Sequence, residues 1–512
     1  MSASRFQEVP YVVNVGVDTY SPPFSSKDFK VQRLKNLQPR LNRLVAATGL
    51  LELQTITGQQ VVAFASYTHP TSLYSALYAI TKTSVYAFDF STLLFNTTAI
   101  YTGFADNADA YGIVPWFDRV YVTKPGKTIR LAANVATEIA TMPSARYAIA
   151  SSGHLMMANT RTPSGEFPNT IINSDLYLPE NFEIDTDSEA DYFEMESPDG
   201  EITGLSYQRG NNIIYTRNSI WIATYRNGAY TYDPLFTGIG NVYHGAQVRV
   251  KEVDMFISDD GIYVIDGLQL RSIGDPIWSF FSSHIQVSSL FEYVRGRVDT
   301  KNFEVSWTYP IAGGSQWSIV YNYKEDKWSD RDPQDILTGL RFAAPLRGFD
   351  TIDSFSDVID TGTISSYLID GDWQYTTYSI RDLFGTSTGL IGTEQNVNEE
   401  ANESPLPIEL ESFDLYYEET ATVKEIAKLV LQFKEVGTAP ILLQVASRHH
   451  LHEPVVWSAA ISLTRTVDET AFFFRNLGAG KFLRFKLTCA NTAENALVEL
   501  YTISPFLLVS EK

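Results

Sequence analysis

The sequence predicts an all-β fold, a β-propeller of about seven four-stranded blades followed by a C-terminal β-sandwich. Three observations lead there. Aromatic residues make up 13% of the 512 positions, with 29 Tyr and 30 Phe, and such side chains suit a half-buried pleated surface. Strand-like segments recur with polar turns about every 8–12 residues, the spacing of a sandwich, barrel or propeller. Amphipathic helical patterns are scarce, and the best of them, FKVQRLKNLQPRLNRLV over 29–45, is interrupted by Pro39.

The elements follow in order. Residues 1–44 read as an N-terminal arm and 45–383 as the propeller. Within it, SALYAITKTSVYAFDFSTLLFNTTAIY (75–101) reads strand, Thr-Lys-Thr-Ser turn, strand, Asp-Phe-Ser turn, strand. Similar meanders occupy 112–142, 145–161, 202–235, 255–274, 302–330 and 360–380. A four-stranded blade takes about 40–50 residues, so the region has room for roughly seven. A pair of sandwiches is the rival arrangement, because period-two alternation does not say how meanders are placed in space. At 384–406 the composition turns small, polar and acidic, FGTSTGLIGTEQNVNEEANESPL, and reads as a linker. Residues 407–512 then hold about seven strand-like segments, the size of a compact β-sandwich.

Charge and cysteine usage restrict function. Lys and Arg number 39 against 60 Asp and Glu, a net charge of −21, so the average surface repels polyphosphate and tight DNA binding is not expected. Passing contact is compatible with it, since a negative wall lets DNA slide without sticking. The single cysteine, Cys489, cannot form an internal disulfide and reads as a small strand residue, which points to assembly in a reducing cytoplasm. No signal peptide or membrane-spanning stretch is read from the sequence.

Four local patterns raise the question of a site. SDDGIYVIDGLQLRSIGDP (258–276) carries Asp259, Asp260 and Asp266, but without EF-hand register. It shares only Ser258 and Asp260 with the Asp-box of sialidase-type propellers, since Gly261 comes one place early and no Trp follows. Its Asp-Gly pairs read as hairpin turns in which glycine supplies positive φ. The run 183–201 places Glu183, Asp185, Asp187, Glu189 and Asp191 at alternate positions, where a strand would put five carboxylates on one face; a solvated interblade loop is the expectation. RHHLHE (448–453) offers His450, His452 and Glu453 as zinc-ligand types, yet no second ligand group accompanies them and a polar strand-end loop is the preferred reading. NLGAGKF (476–482) reads as a hairpin. No nucleophile elbow, Cys/His pair, HExxH or phosphate loop is present, so no catalytic, cofactor-binding or metal residues are assigned and no cofactor is expected.

The order of several motifs is similar to that in the β-propeller tail proteins of short-tailed bacteriophages, the tail nozzle and packaged-DNA-stabilising hub family. NSIWIATY (218–225) is followed by VDMFISDDGIYVIDGLQLRSIGDPIWSFF (253–281), RVDTKNFEVSWTYP (297–310) and IVYNYKEDKWSD (319–330). YLIDGDWQYTTYS and KFLRFKLTCANTAENALVELYTI extend the likeness, which covers roughly 200–500 and matches the first 200 residues only in style.

The resemblance implies a virion structural protein, not an enzyme, assembled in the host cytoplasm. As a homo-oligomer, commonly a hexameric ring, it would continue the portal and adaptor channel, adjoin tail fibres or spikes, retain packaged DNA and conduct it during genome ejection. The acidic balance suits a wall that must not hold DNA. Two other classes stay open: a carbohydrate-binding or depolymerising tail propeller, and a cellular propeller serving as an interaction scaffold.

Overall fold

A computed structural model describes residues 31–345, 378–394, 408–414, 423–436 and 441–510, each of the longer stretches with short breaks, together with 5–8, 11–12 and Val17. The expected meander at 360–380 lies almost wholly outside the described residues, as do 395–407.

Seven sheets of antiparallel strands make the propeller. Blade 1 runs Val61–Thr68, Ser75–Thr81, Ser84–Asp89, with Leu94–Phe95 and Tyr101–Thr102 sharing its outer edge. Blade 2 is Gly112–Trp116, Arg119–Lys124, Lys127–Ala132, Val135–Glu138, and blade 3 is Ser144–Ser151, His154–Thr162, Gly165–Asn173, Asp191–Glu194. Blade 4 comprises Ile202–Gln208, Asn211–Thr216, Ser219–Arg226, Ala229–Thr237, and blade 5 Val248–Val250, Val253–Ile257, Ile262–Asp266, Gln269–Ser272. The helix α1 (Asp275–His284) leads to blade 6, Arg295–Asp299, Glu304–Pro310, Gln316–Asn322, Lys327–Arg331. Blade 7 takes Ile336–Pro345, Tyr378–Thr386 and Leu390–Glu394 from one end of the propeller region and Leu50–Thr55 from the other. The ring closes there: the first strand of blade 1 packs against the first strands of blades 2 and 7.

Period-two alternation fills the spaces between blades. In blade 1, Leu77 and Ala79 face Leu383 and Ile391 of blade 7, while the intervening Tyr78 and Ile80 face Val120 and Ile129 of blade 2. In blade 3, Leu155 and Met157 join Tyr121 of blade 2, and Met156 joins Ile214 and Ala223 of blade 4. Ile213 and Tyr215 of blade 4 meet Phe256 and Ile265 of blade 5. Inner strands such as Arg119–Lys124 and Asn211–Thr216 are covered on both faces and buried at nearly every position, whereas outer strands such as Val135–Glu138 and Gln269–Ser272 are largely exposed.

The sandwich is built from both ends of the chain. One sheet orders Glu469–Phe473, Val423–Val436, Leu497–Ser510, Arg43–Ala46 and Leu37–Arg40, with Arg5–Glu8 and Tyr11–Val12 also on Leu497–Ser510. The other orders Val31–Lys35, Ile408–Ser412, Phe482–Cys489, Ile441–Arg448 and Ile461–Leu463. Val31–Lys35 also pairs in parallel with Lys327–Arg331, so this second sheet and blade 6 form one nine-stranded sheet.

Three expectations need correction. The helical candidate at 29–45 forms three strands instead, because pairing with the C-terminal strands overrides local propensity; Pro39 is accommodated on Leu37–Arg40, an edge strand that pairs on one side only. Of the segment 1–44, the described strands Arg5–Glu8, Tyr11–Val12, Val31–Lys35 and Leu37–Arg40 belong to the sandwich sheets and not to a separate arm. Within 384–406, Leu390–Glu394 is a blade strand, since its apolar Leu390 and Ile391 complete blade 7.

Candidate functional site: the seam and the polar clasps

The segment 31–40 lies between the propeller and the sandwich and is held from both sides. Toward blade 6, Lys35 pairs with Asp330, the Asn36 amide donates to the Asp330 carbonyl at 2.9 Å, and Asn322 Nδ2 donates to the Pro39 carbonyl at 2.9 Å. Arg40 forks onto Glu304, with Nε to Oε1 at 2.7 Å and Nη2 to Oε2 at 3.2 Å. Burial raises the Asp330 carboxyl to about 6, against the lowering effect of Arg33.

Toward the sandwich, the Asp414 side chain is fully buried and accepts from Arg484 Nε at 2.8 Å and Nη2 at 3.0 Å, and also from Arg448. Arg484 Nη1 extends the network to Gln32 at 2.7 Å and Glu411 at 3.1 Å. Two cations around one buried carboxylate satisfy charge and geometry together. The seam therefore couples the two parts through backbone pairing, ion pairs and one apolar core that includes Trp307, Trp328, Leu34, Leu410 and Phe485.

Two clasps tie blades 2, 3 and 4. The acidic run lies in the connection between Gly165–Asn173 and Asp191–Glu194 of blade 3, and 183–190 is irregular instead of a strand. The same connection carries Glu180, which accepts from Tyr121 Oη and Arg130 Nη1 of blade 2, both at 2.8 Å. Glu189 accepts from Tyr225 Oη of blade 4, and that hydrogen bond pushes the tyrosine up to about 12. His154 Nδ1 donates to the Ser174 carbonyl at 2.7 Å, leaving Nε2 at 3.6 Å from Glu189. Asp185 accepts the Asp187 amide at 2.8 Å in a local turn. Asp191 opens the outer strand of the blade.

The second clasp centres on buried His244. Tyr147 Oη bonds its Nδ1, while Arg146 Nη1 lies 3.0 Å and Glu201 Oε2 3.4 Å from Nε2. His244 and the neighbouring arginines hold Glu201 below the usual carboxylate range. Histidine with tyrosine and glutamate is proton-transfer chemistry by type, but here every member bridges blade 3 to the start of blade 4 or to the blade 4–5 connection.

The other sequence candidates are separate. Glu453 spends its carboxylate on the amides of His449 at 2.8 Å and His450 at 3.0 Å, which lowers its pKa, while the His450 and His452 rings stack at 5.4 Å. Among the described residues no group of three or more His, Cys, Asp or Glu is placed to hold a metal ion. Cys489 is buried at the end of its strand, and 476–478 of the glycine-rich hairpin lie outside the described residues.

The Asp-Gly pairs divide. Asp266 pairs with Gln269 around a two-residue loop in which Gly267 takes φ 63°. Gly261, contrary to expectation, does not take positive φ; a Cβ there would make a tight approach, 3.2 Å, to the Tyr263 ring.

One recurring feature escaped the sequence reading. The turn from second to third strand repeats as TKTS (81–84), TRNS (216–219), SDDG (258–261) and TSTG (386–389). In three of them the leading threonine Oγ1 accepts a later amide: Ser84 at 3.1 Å, Ser219 at 2.9 Å and Leu390 at 3.1 Å. Its signal is a hydroxyl residue three places before Ser or Gly at the end of an apolar strand.

No protein-family model and no curated protein matches the sequence. Among solved structures, the extracellular domain of a B. thetaiotaomicron protein described as a one-component system is similar at 8% identity and a TM-score of 0.39, over 70% of this chain. The chain spans only 40% of the length of that structure. The WD40 domain of Neurospora crassa Pan2 is similar at 10% identity and a TM-score of 0.37, over 69% of this chain and 96% of that one. Scores this low carry no argument about activity, and the propeller assignment rests on the closed ring of sheets. Among the described residues no helix is long and apolar enough to cross a membrane.

Proposed function

We propose that the chain is a non-catalytic scaffold subunit whose neighbours are other protein chains. The observation that supports this most directly is the nine-stranded sheet, which makes propeller and sandwich continuous at the seam. A charged side chain buried between two cations and a parallel strand pair suit a body that transmits position between neighbours. The polar clusters elsewhere join blade to blade.

Within that reading, the ordered motifs suggest the short tail of a bacteriophage, with copies of the chain forming a ring that continues the portal channel. The net charge of −21 is compatible with a channel that conducts DNA without retaining it. Electron microscopy of the parent particle tests the setting: the chain is expected around the tail axis, and its absence there overturns the tail assignment. Light scattering on the purified chain, alone and with a portal complex, tests assembly. A monomer that joins no ring under either condition, yet captures cellular proteins, favours a cellular interaction scaffold.

A further inference from the structure

The outer rims of blades 2 and 3 do not match in length. The fourth strand of blade 2, Val135–Glu138, has four residues, whereas His154–Thr162 and Gly165–Asn173 of blade 3 have nine each. Blade 3 therefore overhangs its neighbour and leaves a groove of about 460 Å³, bounded on the far side by the connection carrying Met142. This volume lies within the roughly 300–1,000 Å³ usual for small-molecule sites.

The lining has two characters. Tyr192 and Phe167 present ring surface, at 60% and 38% exposure, and Ile184 adds apolar area. Around them stand hydroxyls and one carboxylate, including Thr160, Thr162 and Glu194, and no Lys, Arg or His lines the groove. Thr160 is only 1% exposed, and its buried Oγ1 has no hydrogen-bond partner. A β-bulge at Asn159, held at φ 55°, precedes Thr160 in the strand. An unmatched buried hydroxyl is costly to leave so, and a ligand group that bonds it offsets that cost.

We propose that this groove binds a short neutral saccharide. A sugar ring offers an apolar C–H face to Tyr192 and Phe167 and hydroxyls to Thr160, Thr162 and Glu194, so one ligand satisfies both characters of the lining. The absence of cations from the lining, on a chain of net charge −21, selects against acidic sugars. The inference stands on the groove alone and does not depend on the scaffold reading.

Saturation-transfer NMR of the full chain tests it with maltotriose, cellotriose, mannotriose and triacetylchitotriose at millimolar concentration, and with trigalacturonate as the acidic comparison. At least one neutral trisaccharide is expected to bind and trigalacturonate to be rejected. Tyr192→Ala, at an exposed position, should weaken binding about tenfold, and Thr160→Val, which keeps the shape and removes the hydroxyl, about fivefold. Unchanged circular dichroism and melting would establish that both variants fold. Failure of every neutral trisaccharide, preference for the acidic one, or indifference to both substitutions overturns the proposal. Sedimentation covers the rival occupant: if Tyr192→Ala dissociates an oligomer while no sugar binds, the groove is an interface between copies.

Discussion

The spaces between most blades and the space between propeller and sandwich are filled on different principles. From blade 7 through blade 1 to blade 5, each gap holds its own apolar slab, contributed by two adjacent sheets. From blade 5 through α1 and blade 6 into the sandwich, one core runs without interruption, and buried ions flank it. A slab needs only its two sheets and can be repeated around a ring. The shared core requires segments from 31–44, 243–328 and 408–489 simultaneously, so its loss should be felt in both parts of the molecule.

Trp307→Ala would break the shared core most severely. Trp307 is fully buried, donates from Nε1 to the Ala246 carbonyl at 2.7 Å, and stacks with Trp328 at 5.8 Å between ring centres. The expected loss is about 3–5 kcal/mol by denaturant titration. Hydrogen exchange should accelerate in Glu304–Pro310 and also in Phe482–Cys489 of the sandwich. Ile171→Ala, in the slab between blades 3 and 4, should accelerate exchange in those blades only. Equal spread of the two effects would erase the distinction between slab and shared core.

A smaller effect sharpens the electrostatic side of the comparison. Burial raises Asp330 from 3.8 to about 6, so the folded protein binds this proton more tightly than the unfolded chain does. Its contribution is present in full below about pH 4 and is lost as pH rises through 6, which is opposite to the sign for an ion-paired carboxylate. The stability of the parent relative to Asp330→Asn should accordingly fall by about 2 kcal/mol between pH 4 and pH 7. A flat difference curve would mean that Arg33 and Lys35 offset the burial, and one that rises with pH that the seam stabilises the charged form.

The smallest expected effect separates the two glycines of blade 5. Gly267→Ala should cost about 1 kcal/mol, because it forces a side chain onto positive φ. Gly261→Ala carries no such backbone term and should cost less, provided that the Tyr263 ring can shift from its 3.2 Å approach. A larger loss at Gly261 would show that ring packing outweighs backbone strain in this hairpin.

The strands of the propeller and most of their turns were legible in the residue pattern alone. The meanders at 112–142, 202–235 and 255–274 correspond to blades 2, 4 and 5, because antiparallel neighbours are close along the chain and alternation plus turn residues report local pairing. The size of the ring was legible only as an approximate residue count, and ring closure was not legible at all. Leu50–Thr55 joins Leu390–Glu394 across some 340 residues, and Val31–Lys35 joins blade 6 to the sandwich across a similar separation. Such pairings leave no local period to read, which is why 29–45 offers by itself only a helical candidate interrupted by Pro39.

The clasps and the groove were equally hidden. Glu180, Glu189 and His244 look like ordinary polar residues until the ring brings Tyr121, Tyr225 and Tyr147 beside them. Thr160 becomes noteworthy only because a short outer strand in blade 2 leaves its neighbour uncovered. Local pattern specified which residues are strands. Which strands close the ring, which charges are buried together and where a surface is left open depend instead on segments far apart in the chain meeting in space.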